Sequence, residues 1–355
     1  MEEKSILPIH IGGTIASAES KTGFKPKLSF ADLLGKIDQG LTGNRFIAPA
    51  QCPFGEFGID SAGMQIPHMQ KIAETIWDNY DSYDAFIVTH GTDTLAYTAS
   101  MLSFMLQGIQ KPVIVTGAQK TLEDDKSDVV GNLETALLAA STSNCGVWVA
   151  FNREIINGVR ATKINIGVDC LDAFVSNIRD EISISNFQKN DYSVNKGQAE
   201  TFSTEVSEAL DIFFLTHTTN PVRLRNYLEN SDLKALIVII YGMSGHRQEL
   251  MEVLSRWADD NRAFVIAKTH SPYGSTDLSK YELGVKALLM GILSSLDMTM
   301  ESVYAKTSRL LAHGDAPQEF NRQFYENFCG ELDEAGVQKF LKKADIWRKV
   351  FPGSK

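Results

Sequence analysis

Hydroxyl, carboxylate and ammonium groups are concentrated in three short segments of this sequence. They are GGT at 12–14, HGTDT at 90–94 and RATK at 160–163. Hydrolysis of an amide needs a nucleophile, a proton carrier and donors that stabilise a tetrahedral oxyanion. A threonine hydroxyl becomes a useful nucleophile only when a base or a lowered pKa activates it. The three segments therefore hold the groups for attack by a hydroxyl on a carbonyl carbon, and this chemistry requires no metal ion.

These side chains also have ordinary structural explanations. Thr92 and Asp93 are typical residues for capping a helix, and a lysine such as Lys163 beside a turn is usually solvated. Close to Thr92 and Asp93, however, Lys163 can activate a hydroxyl or relay a proton. The glycines at 12–13 permit a tight turn with exposed N–H groups, but the GxGxxG pattern and a phosphate-loop lysine are missing. Nucleotide binding is weakly supported, and a bare turn and a ligand site both stay open.

Two irregular segments adjoin these turns. The first, 19–27, is polar and is predicted to be a mobile loop that can act as a lid, with Phe24 as its hydrophobic anchor. The second, 41–63, contains Asp60 and Ser61. This pair is explained by a turn or a helix cap, and it could equally present a carboxylate and a hydroxyl to an amino-acid ligand.

Apolar runs that indicate strands precede the glycine-containing turns. Strands are predicted at 6–11, 86–89 and 112–116, and helices at 94–106 and 129–140. This alternation predicts a mostly parallel sheet. Because ligands bind beyond the carboxyl ends of the strands in such sheets, we expect the turns to converge on one rim.

Length and patterning divide the 355 residues into two domains. The polar stretch 189–208 shows little apolar periodicity and is predicted to be a linker. Strands and helices alternate again after it. We therefore predict a large N-terminal α/β domain at 1–188 that carries the active site, and a smaller C-terminal α/β domain at 209–355. The predicted fold class is two-domain, three-layer α/β/α with mostly parallel sheets.

The composition excludes several classes of partner. A net charge of −10 and a pI near 5.3 argue against binding to nucleic acid or to an anionic membrane. The apolar runs are too short for a transmembrane helix, and the acidic start is unlike a secretory signal. The four cysteines are widely spaced, so we expect free buried thiols of a cytoplasmic protein and no metal site. They are Cys52, Cys145, Cys170 and Cys329.

The order and spacing of GGTI at 12–15, HGTDT at 90–94 and RATK at 160–163 closely resemble the bacterial L-asparaginase family, and within it the type I, cytoplasmic branch. Supporting stretches are YTASMLSF at 97–104, PVIVTGAQ at 112–119 and DMT at 297–299. The resemblance implies an asparaginase/glutaminase-like fold without a cofactor. The implied activity is the hydrolysis of L-asparagine to L-aspartate and ammonia, with weak glutaminase activity left open. It also implies a homodimer or a dimer of dimers, with active sites at the dimer contact.

The resemblance implies a role for each matching residue. Thr14 would be the nucleophile that forms an acyl-enzyme, and Thr92, Asp93 and Lys163 would match the group that carries its proton. The implied substrate-binding residues are Gly13, Asp60, Ser61, Gly91 and Ala118. Within this set, Asp60 and Ser61 would hold the α-amino and α-carboxylate groups, and the backbone carbonyl of Ala118 would face the leaving amide.

The loop at 19–27 departs from the family pattern. Family members generally place a tyrosine there, and its hydroxyl helps to activate the first threonine. Phe24 keeps the ring but can neither donate nor accept a hydrogen bond. Either Tyr97 or another group replaces the hydroxyl, or Thr14 is poorly activated. A different alignment within the loop offers Ser20 or Thr22.

Two further features leave alternatives open. Type I relatives can bind asparagine at a regulatory site, but 241–246 and 268–271 keep that pattern only loosely, so we expect no allostery by asparagine. The missing hydroxyl also allows an amino-acid-binding or sensor protein that has lost catalysis. A glutaminase component of a tRNA amidotransferase is a third interpretation, which the early first strand argues against.

Overall fold

The chain folds into two compact units. The computed structural model describes residues 4–37, 45–167, 173–194, 201–314 and 316–350. The first unit comprises Met1–Thr204 with Phe328–Gly330, and the second comprises Glu205–Asn327 with Glu331–Lys355. The domain boundaries inferred from the sequence, with a linker at 189–208, stay a prediction. Along the described ranges, we find no helix that is long and apolar enough to cross a membrane.

The first unit contains eleven described strands and five described α-helices. The strands are β1 Lys4–His10, β2 Ser17–Ala18, β3 Lys25–Pro26, β4 Arg45–Ile47, β5 Ala85–Thr89, β6 Pro112–Thr116, β7 Gly146–Phe151, β8 Glu154–Asn157, β9 Ala161–Lys163, β10 Phe174–Ser176 and β11 Ile182–Ser183. The helices are α1 Phe30–Leu34, α2 Ile66–Asp78, α3 Leu95–Met105, α4 Val129–Ala140 and α5 Ile184–Phe187.

Seven of these strands form the main sheet, in the order β11-β8-β7-β6-β5-β1-β4. Five neighbouring strands pair in parallel, in the order β7-β6-β5-β1-β4. The strands β8 and β11 are antiparallel to their neighbours. All residues of β5 and β6 are buried, as expected of parallel strands that are covered on both faces. The chain runs outward from β1 to β4 and then from β5 to β6. The ends of β1 and β5 therefore form the switch point at which ligands bind in such sheets.

The second unit is built on four parallel strands in the order β12-β13-β14-β15. Its strands are β12 Leu210–Phe214, β13 Ala235–Ile240, β14 Phe264–Thr269 and β15 Leu293–Ser294. Its helices are α6 Pro221–Glu229, α7 Gln248–Asn261, α8 Glu282–Leu289, α9 Met300–Ala312, α10 Pro317–Phe324 and α11 Glu334–Val350. Both units thus combine mostly parallel sheets with helices, and the predicted α/β fold class is confirmed.

Three residues from late in the chain complete the first unit. The Arg160 Nε donates to the Gly330 carbonyl at 2.6 Å, and the Asn157 Nδ2 donates to the Cys329 carbonyl at 3.1 Å. The Cys329 thiol contacts the Ser103 carbonyl at 3.1 Å. The segment 328–330 therefore contacts β8, the turn after β8, and α3.

Some local predictions are wrong. Lys163 does not lie in a turn but ends β9, which pairs with β10. The polar loop at 19–27 includes the short strand β3, which pairs with β2 immediately before the loop. Phe24 in this hairpin is 66% exposed, so it does not anchor the loop within the chain.

The cysteines follow the prediction in part. Cys52, Cys145 and Cys329 are free, but only Cys329 is buried, and the other two are half-buried. Cys170 lies outside the described residues. Within the described ranges, no group of three or more histidine, cysteine, aspartate or glutamate side chains is arranged to hold a metal ion.

Candidate active site

The turns that follow β1 and β5 meet with no room for a side chain between them. Gly13 has φ of 80° and ψ of −169°, a conformation that only glycine adopts readily. A Cβ atom on Gly13 would lie 2.2 Å from the Cα of Gly91, and one on Gly91 would lie 2.4 Å from the Ser61 Oγ. Three of the predicted site residues are therefore in direct contact.

Hydrogen bonds from the backbone and from a side chain hold the segment with Asp60 and Ser61 against these turns. The Gly13 N–H donates to the Ile59 carbonyl at 3.0 Å, and the Thr94 hydroxyl donates to the Ser61 carbonyl at 3.0 Å. Ser61 is buried, whereas Asp60 is exposed. One oxygen of the Asp60 carboxylate caps the short helical turn Ser61–Gly63 by accepting from the Ala62 N–H at 3.0 Å. The capping explanation thus holds for Asp60, and no described residue bonds its second carboxylate oxygen.

A lysine, a threonine and an aspartate form a hydrogen-bonded group at the end of β5. The Lys163 ammonium donates to the Thr92 Oγ1 at 2.8 Å and to the Asp93 Oδ1 at 2.7 Å. Thr92 is buried, and the Lys163 side chain is 14% exposed, whereas the Asp93 side chain is 62% exposed. The cap of α3 is Thr94, so the explanation of Thr92 or Asp93 as helix caps is wrong. The Lys163 ammonium is instead held between the Thr92 hydroxyl and the Asp93 carboxylate.

The turn after β6 joins this group through Gln119, a residue that the sequence analysis missed. The Thr92 hydroxyl donates to the Gln119 Oε1 at 3.1 Å, and the Gln119 Nε2 donates to the Asn165 carbonyl at 2.9 Å. The Asp128 carboxylate fixes the turn by accepting from the N–H groups of Gln119 and Lys120 at 3.0 and 2.9 Å. The available sequence signal is that Gln119 lies in the turn that follows β6, and its partners can be identified only in three dimensions.

Ala118 lies in the same turn and is fully buried. Its neighbour Gly117 packs against the β5 turn, since a Cβ on Gly117 would lie 2.5 Å from the His90 carbonyl oxygen. The turns after β1, β5 and β6 therefore converge on one rim of the sheet, as expected.

A buried histidine sets the orientation of the β5 turn. The His90 Nδ1 bonds to the Gly91 carbonyl at 2.8 Å, so Nδ1 carries the hydrogen and Nε2 accepts from the Thr98 hydroxyl at 2.9 Å. Complete burial lowers the pKa of His90 to about 4, and this imidazole is neutral at pH 7. In a planar trans peptide the Gly91 carbonyl and the Thr92 N–H point in opposite directions. Because His90 holds that carbonyl inward, the Thr92 N–H is directed away from the imidazole.

A second histidine, His10, supports the neighbouring strand ends. Its Nε2 donates to the Leu28 carbonyl at 3.1 Å, and its Nδ1 accepts from the Thr89 hydroxyl at 2.7 Å. Burial lowers the pKa of His10 as well. The ends of β1 and β5 are thus joined by a neutral side-chain hydrogen bond.

Thr14 opens a short helical turn, Thr14–Ala16, immediately after Gly13. Its side chain is half-buried, and we find no hydrogen bond from the Thr14 hydroxyl to any other described residue. Ser17 stabilises the turn by donating to the Gly13 carbonyl at 2.9 Å. Thr14 therefore adjoins the Gly13–Gly91 contact, but no direct hydrogen bond joins it to Thr92 or Lys163 in the described structure.

Comparison with known proteins identifies the class of protein that this fold and these turns define. The family model described as "Asparaginase, N-terminal" matches residues 5–199, and that described as "Glutaminase/Asparaginase C-terminal domain" matches residues 210–324. The chain belongs to the asparaginase family. The predicted likeness to L-asparaginases, including type I enzymes, is thereby confirmed.

Two L-asparaginases match over almost their whole length, and a third relative matches over most of its length. The chain is 32% identical over 337 residues to an L-asparaginase of Thermococcus kodakarensis, covering 92% of this chain and 98% of the relative. It is 32% identical over 348 residues to L-asparaginase 1 of Escherichia coli K12, covering 94% and 99%. A component of the glutamyl-tRNA(Gln) amidotransferase of Thermoplasma acidophilum is 27% identical over 348 residues, covering 94% of this chain and 81% of the relative.

Solved structures show the same similarity. The Thermococcus kodakarensis L-asparaginase superposes with a TM-score of 0.82 at 30% identity, covering 93% of this chain and 99% of that one. L-asparaginase I from Vibrio cholerae gives a TM-score of 0.80 at 27% identity, with coverage of 93% and 99%. This family membership supports an amidohydrolase.

Proposed function

We propose that the protein hydrolyses L-asparagine to L-aspartate and ammonia. The observation that carries the proposal is the hydrogen-bonded group of Lys163, Thr92 and Asp93 beside the Gly13–Gly91 contact. The names of the relatives supply the substrate, because L-asparaginases match over nearly the full chain. Weak activity on L-glutamine is included in the proposal.

The proposed reaction proceeds through an acyl-enzyme on Thr14. The Thr14 Oγ1 attacks the side-chain amide carbon, and the Thr14 proton passes to the leaving nitrogen as ammonia departs. Water then attacks the ester carbon, which releases aspartate and returns a proton to the Thr14 oxygen. The Thr92 N–H, held outward by the His90–Gly91 bond, is the proposed oxyanion donor. One such donor contributes roughly 2.7–4 kcal/mol to the barrier reduction.

Lys163 and Thr92 are the proposed proton carriers. A threonine hydroxyl accepts at two lone pairs, so the Thr92 oxygen can receive an incoming donor while it accepts from the Lys163 ammonium. The Asp93 carboxylate, 2.7 Å from the ammonium, holds Lys163 in place next to Thr92. The ion pair is largely exposed on its carboxylate side, so its main effect is positional rather than stabilising.

The substrate would lie over the convergent turns. Ser61 and Asp60 are the proposed contacts of the α-carboxylate and α-amino groups, and the free Asp60 oxygen suits an ammonium. Because Gly13 and Gly91 have no side chains, the substrate can approach the backbone of these turns closely. The Ala118 carbonyl is proposed to accept a hydrogen bond from the leaving amide.

Ammonia release from L-asparagine and from L-glutamine tests this function. The wild type is expected to release ammonia from L-asparagine, and Thr14→Ala is expected to release none above background. Thr142→Ala is a matched control, because among the described residues the Thr142 hydroxyl bonds the Ala139 carbonyl and the Asn144 N–H, both in its own turn ahead of the first residue of β7. Activity that survives Thr14→Ala would refute the proposed nucleophile.

The second candidate is an amino-acid-binding protein without turnover, and Phe24 favours it. The ring has no hydroxyl and is 66% exposed. Labelling of Thr14 by a reactive asparagine analogue, located by mass spectrometry, separates the two candidates. A labelled Thr14 supports the enzyme, whereas reversible aspartate binding without label or ammonia supports the binding protein.

The cellular setting is proposed on the same grounds. A cytoplasmic location and a homodimer or dimer of dimers follow from the type I resemblance. Light scattering of the purified protein tests the assembly, and a monomer at micromolar concentration would contradict it.

A further inference from the structure

The side-chain amide of Gln119 lies between two elements of the candidate site. Its Oε1 is 3.1 Å from the Thr92 Oγ1, and its Nε2 is 2.9 Å from the Asn165 carbonyl oxygen. A carbonyl oxygen can only accept, so the amide nitrogen must face Asn165 and the amide oxygen must face Thr92. The reversed amide would place two oxygens against each other at Asn165.

This orientation determines where the Thr92 hydrogen points. The Gln119 Oε1 is an acceptor, so Thr92 donates its single hydrogen to it. The Lys163 ammonium has no acceptor capacity and donates to one Thr92 lone pair at 2.8 Å. Three of the four directions around the Thr92 oxygen are therefore taken by its own Cβ, Gln119 and Lys163. Among the residues that the structure describes, no further partner takes the remaining lone pair, which is left for an incoming donor.

The same amide also ties down the strand that carries Lys163. Asn165 lies two residues after the end of β9. The bond from the Gln119 amide to the Asn165 carbonyl joins residues that are 46 positions apart in the chain. The Gln119 backbone is itself held by Asp128. The turn after β6 thus fixes both the hydroxyl of Thr92 and the distance of Lys163 from it.

We propose that Gln119 is a positioning residue, resting on the proposed function, that directs the Thr92 hydrogen away from Lys163 and keeps one Thr92 lone pair ready for the substrate side. Its amide oxygen orders the hydroxyl, and its amide nitrogen anchors the β9 segment. Gln119 itself touches no reacting atom.

Three variants test this role. Gln119→Met has a similar length and can make neither bond. Gln119→Glu keeps an oxygen toward Thr92 and replaces the nitrogen that faces Asn165. Gln110→Met is the matched control, because Gln110 precedes β6 at its other end and its side chain bonds to the Gly108 carbonyl.

Steady-state kinetics with L-asparagine give the first readout. Gln119→Met is expected to lower kcat at least tenfold with KM within about threefold, because an undirected hydroxyl affects the reaction more than binding. Gln119→Glu is expected to have a higher kcat than Gln119→Met, and Gln110→Met is expected to match the wild type. A kcat for Gln119→Met within twofold of the wild type, or a loss confined to KM, would overturn the proposal.

Hydrogen exchange gives a readout that does not need turnover. Faster amide exchange across 161–167 is expected in both Gln119 variants and not in Gln110→Met, because the Asn165 carbonyl loses its donor. If the wild type releases no ammonia, the proposed function fails, but the exchange measurement still tests whether Gln119 anchors the segment at Asn165. Unchanged exchange in Gln119→Met would refute the anchoring role.

Discussion

Gly13 and Gly91 touch so closely that a methyl group on Gly13 would lie 2.2 Å from the Cα of its partner. The first residue follows β1 and the second follows β5, so the contact closes the switch point of the main sheet. It brings the turn that carries Thr14 against the turn that carries Thr92.

Gly13→Ala is expected to destabilise the protein. The added methyl meets backbone that cannot move aside, and the φ of 80° is unfavourable for alanine. Overpacking and backbone strain each cost about 1–3 kcal/mol. Urea unfolding measures the loss. Gly131→Ala is the control of opposite sign, because Gly131 lies inside α4 with nothing within 4 Å of a new Cβ, and alanine there is expected to stabilise by about 0.5–1 kcal/mol.

Asp93→Asn is expected to separate activity from stability. The asparagine loses the charge that holds Lys163, and we expect kcat/KM for L-asparagine to fall at least about 100-fold. Because the Asp93 side chain is 62% exposed, the free energy of unfolding is expected to change by less than about 1 kcal/mol. Lys71→Met, which removes an exposed pair with Glu74 at 3.4 Å, is the control and is expected to leave kcat/KM unchanged. A full-activity Asp93→Asn would contradict the assigned role.

Phe24→Tyr is expected to raise kcat at least about tenfold, because it supplies the phenolic hydroxyl that Phe24 lacks. The ring is 66% exposed, so the added hydroxyl should leave the unfolding temperature unchanged. Steady-state ammonia release by the two forms measures the effect. A wild type as fast as the related L-asparaginases and slowed by Phe24→Tyr would show that the hydroxyl is not needed.

Acid is expected to destabilise the first unit through His90. Burial lowers the pKa of this imidazole to about 4, so between about pH 4 and 6.5 the unfolded chain binds a proton that the folded protein does not. The free energy of unfolding therefore falls as the pH falls through that window, by up to roughly 3 kcal/mol at ~1.4 kcal/mol per pH unit. Urea unfolding at pH 7.5, 5.5 and 4.5 measures the slope.

His90→Gln removes this titration, because an amide side chain does not bind a proton in this pH range. The amide can still donate to the Gly91 carbonyl and accept from the Thr98 hydroxyl, so both hydrogen bonds are kept. A shallower pH slope is expected for this variant. His313→Gln, at an exposed position in the second unit, is expected to keep the wild-type slope. Equal slopes for His90→Gln and the wild type would contradict the assignment.

The sequence predicted the strands and helices with long apolar patterns. The bounds of β6 and α4 agree with those predicted, because a strand buried on both faces reads as a continuous apolar run and a helix buried along one face leaves a helical period. The short strand β9 was missed. Its three residues show no period, and its pairing with β10 is a contact between separate segments.

The candidate site was predictable to the extent that its residues sit at strand ends. Glycines and hydroxyls after β1, β5 and β6 indicated one rim of the sheet, and their convergence is observed. The positions of Gln119 and His90 relative to Thr92 were not predictable, because their contacts depend on the packing of whole elements. The roles of all these residues in a reaction stay predictions until the variants are measured.

The hydrogen bonds that join 328–330 to the first unit have a consequence for synthesis on the ribosome. The chain for this unit is nearly complete at Thr204, yet the Gly330 carbonyl that receives the Arg160 Nε is translated about 120 residues afterwards. At 5–20 residues per second the delay is on the order of 10 s. The nascent first unit therefore has to persist as an unfinished fold while the ribosome adds the intervening polypeptide.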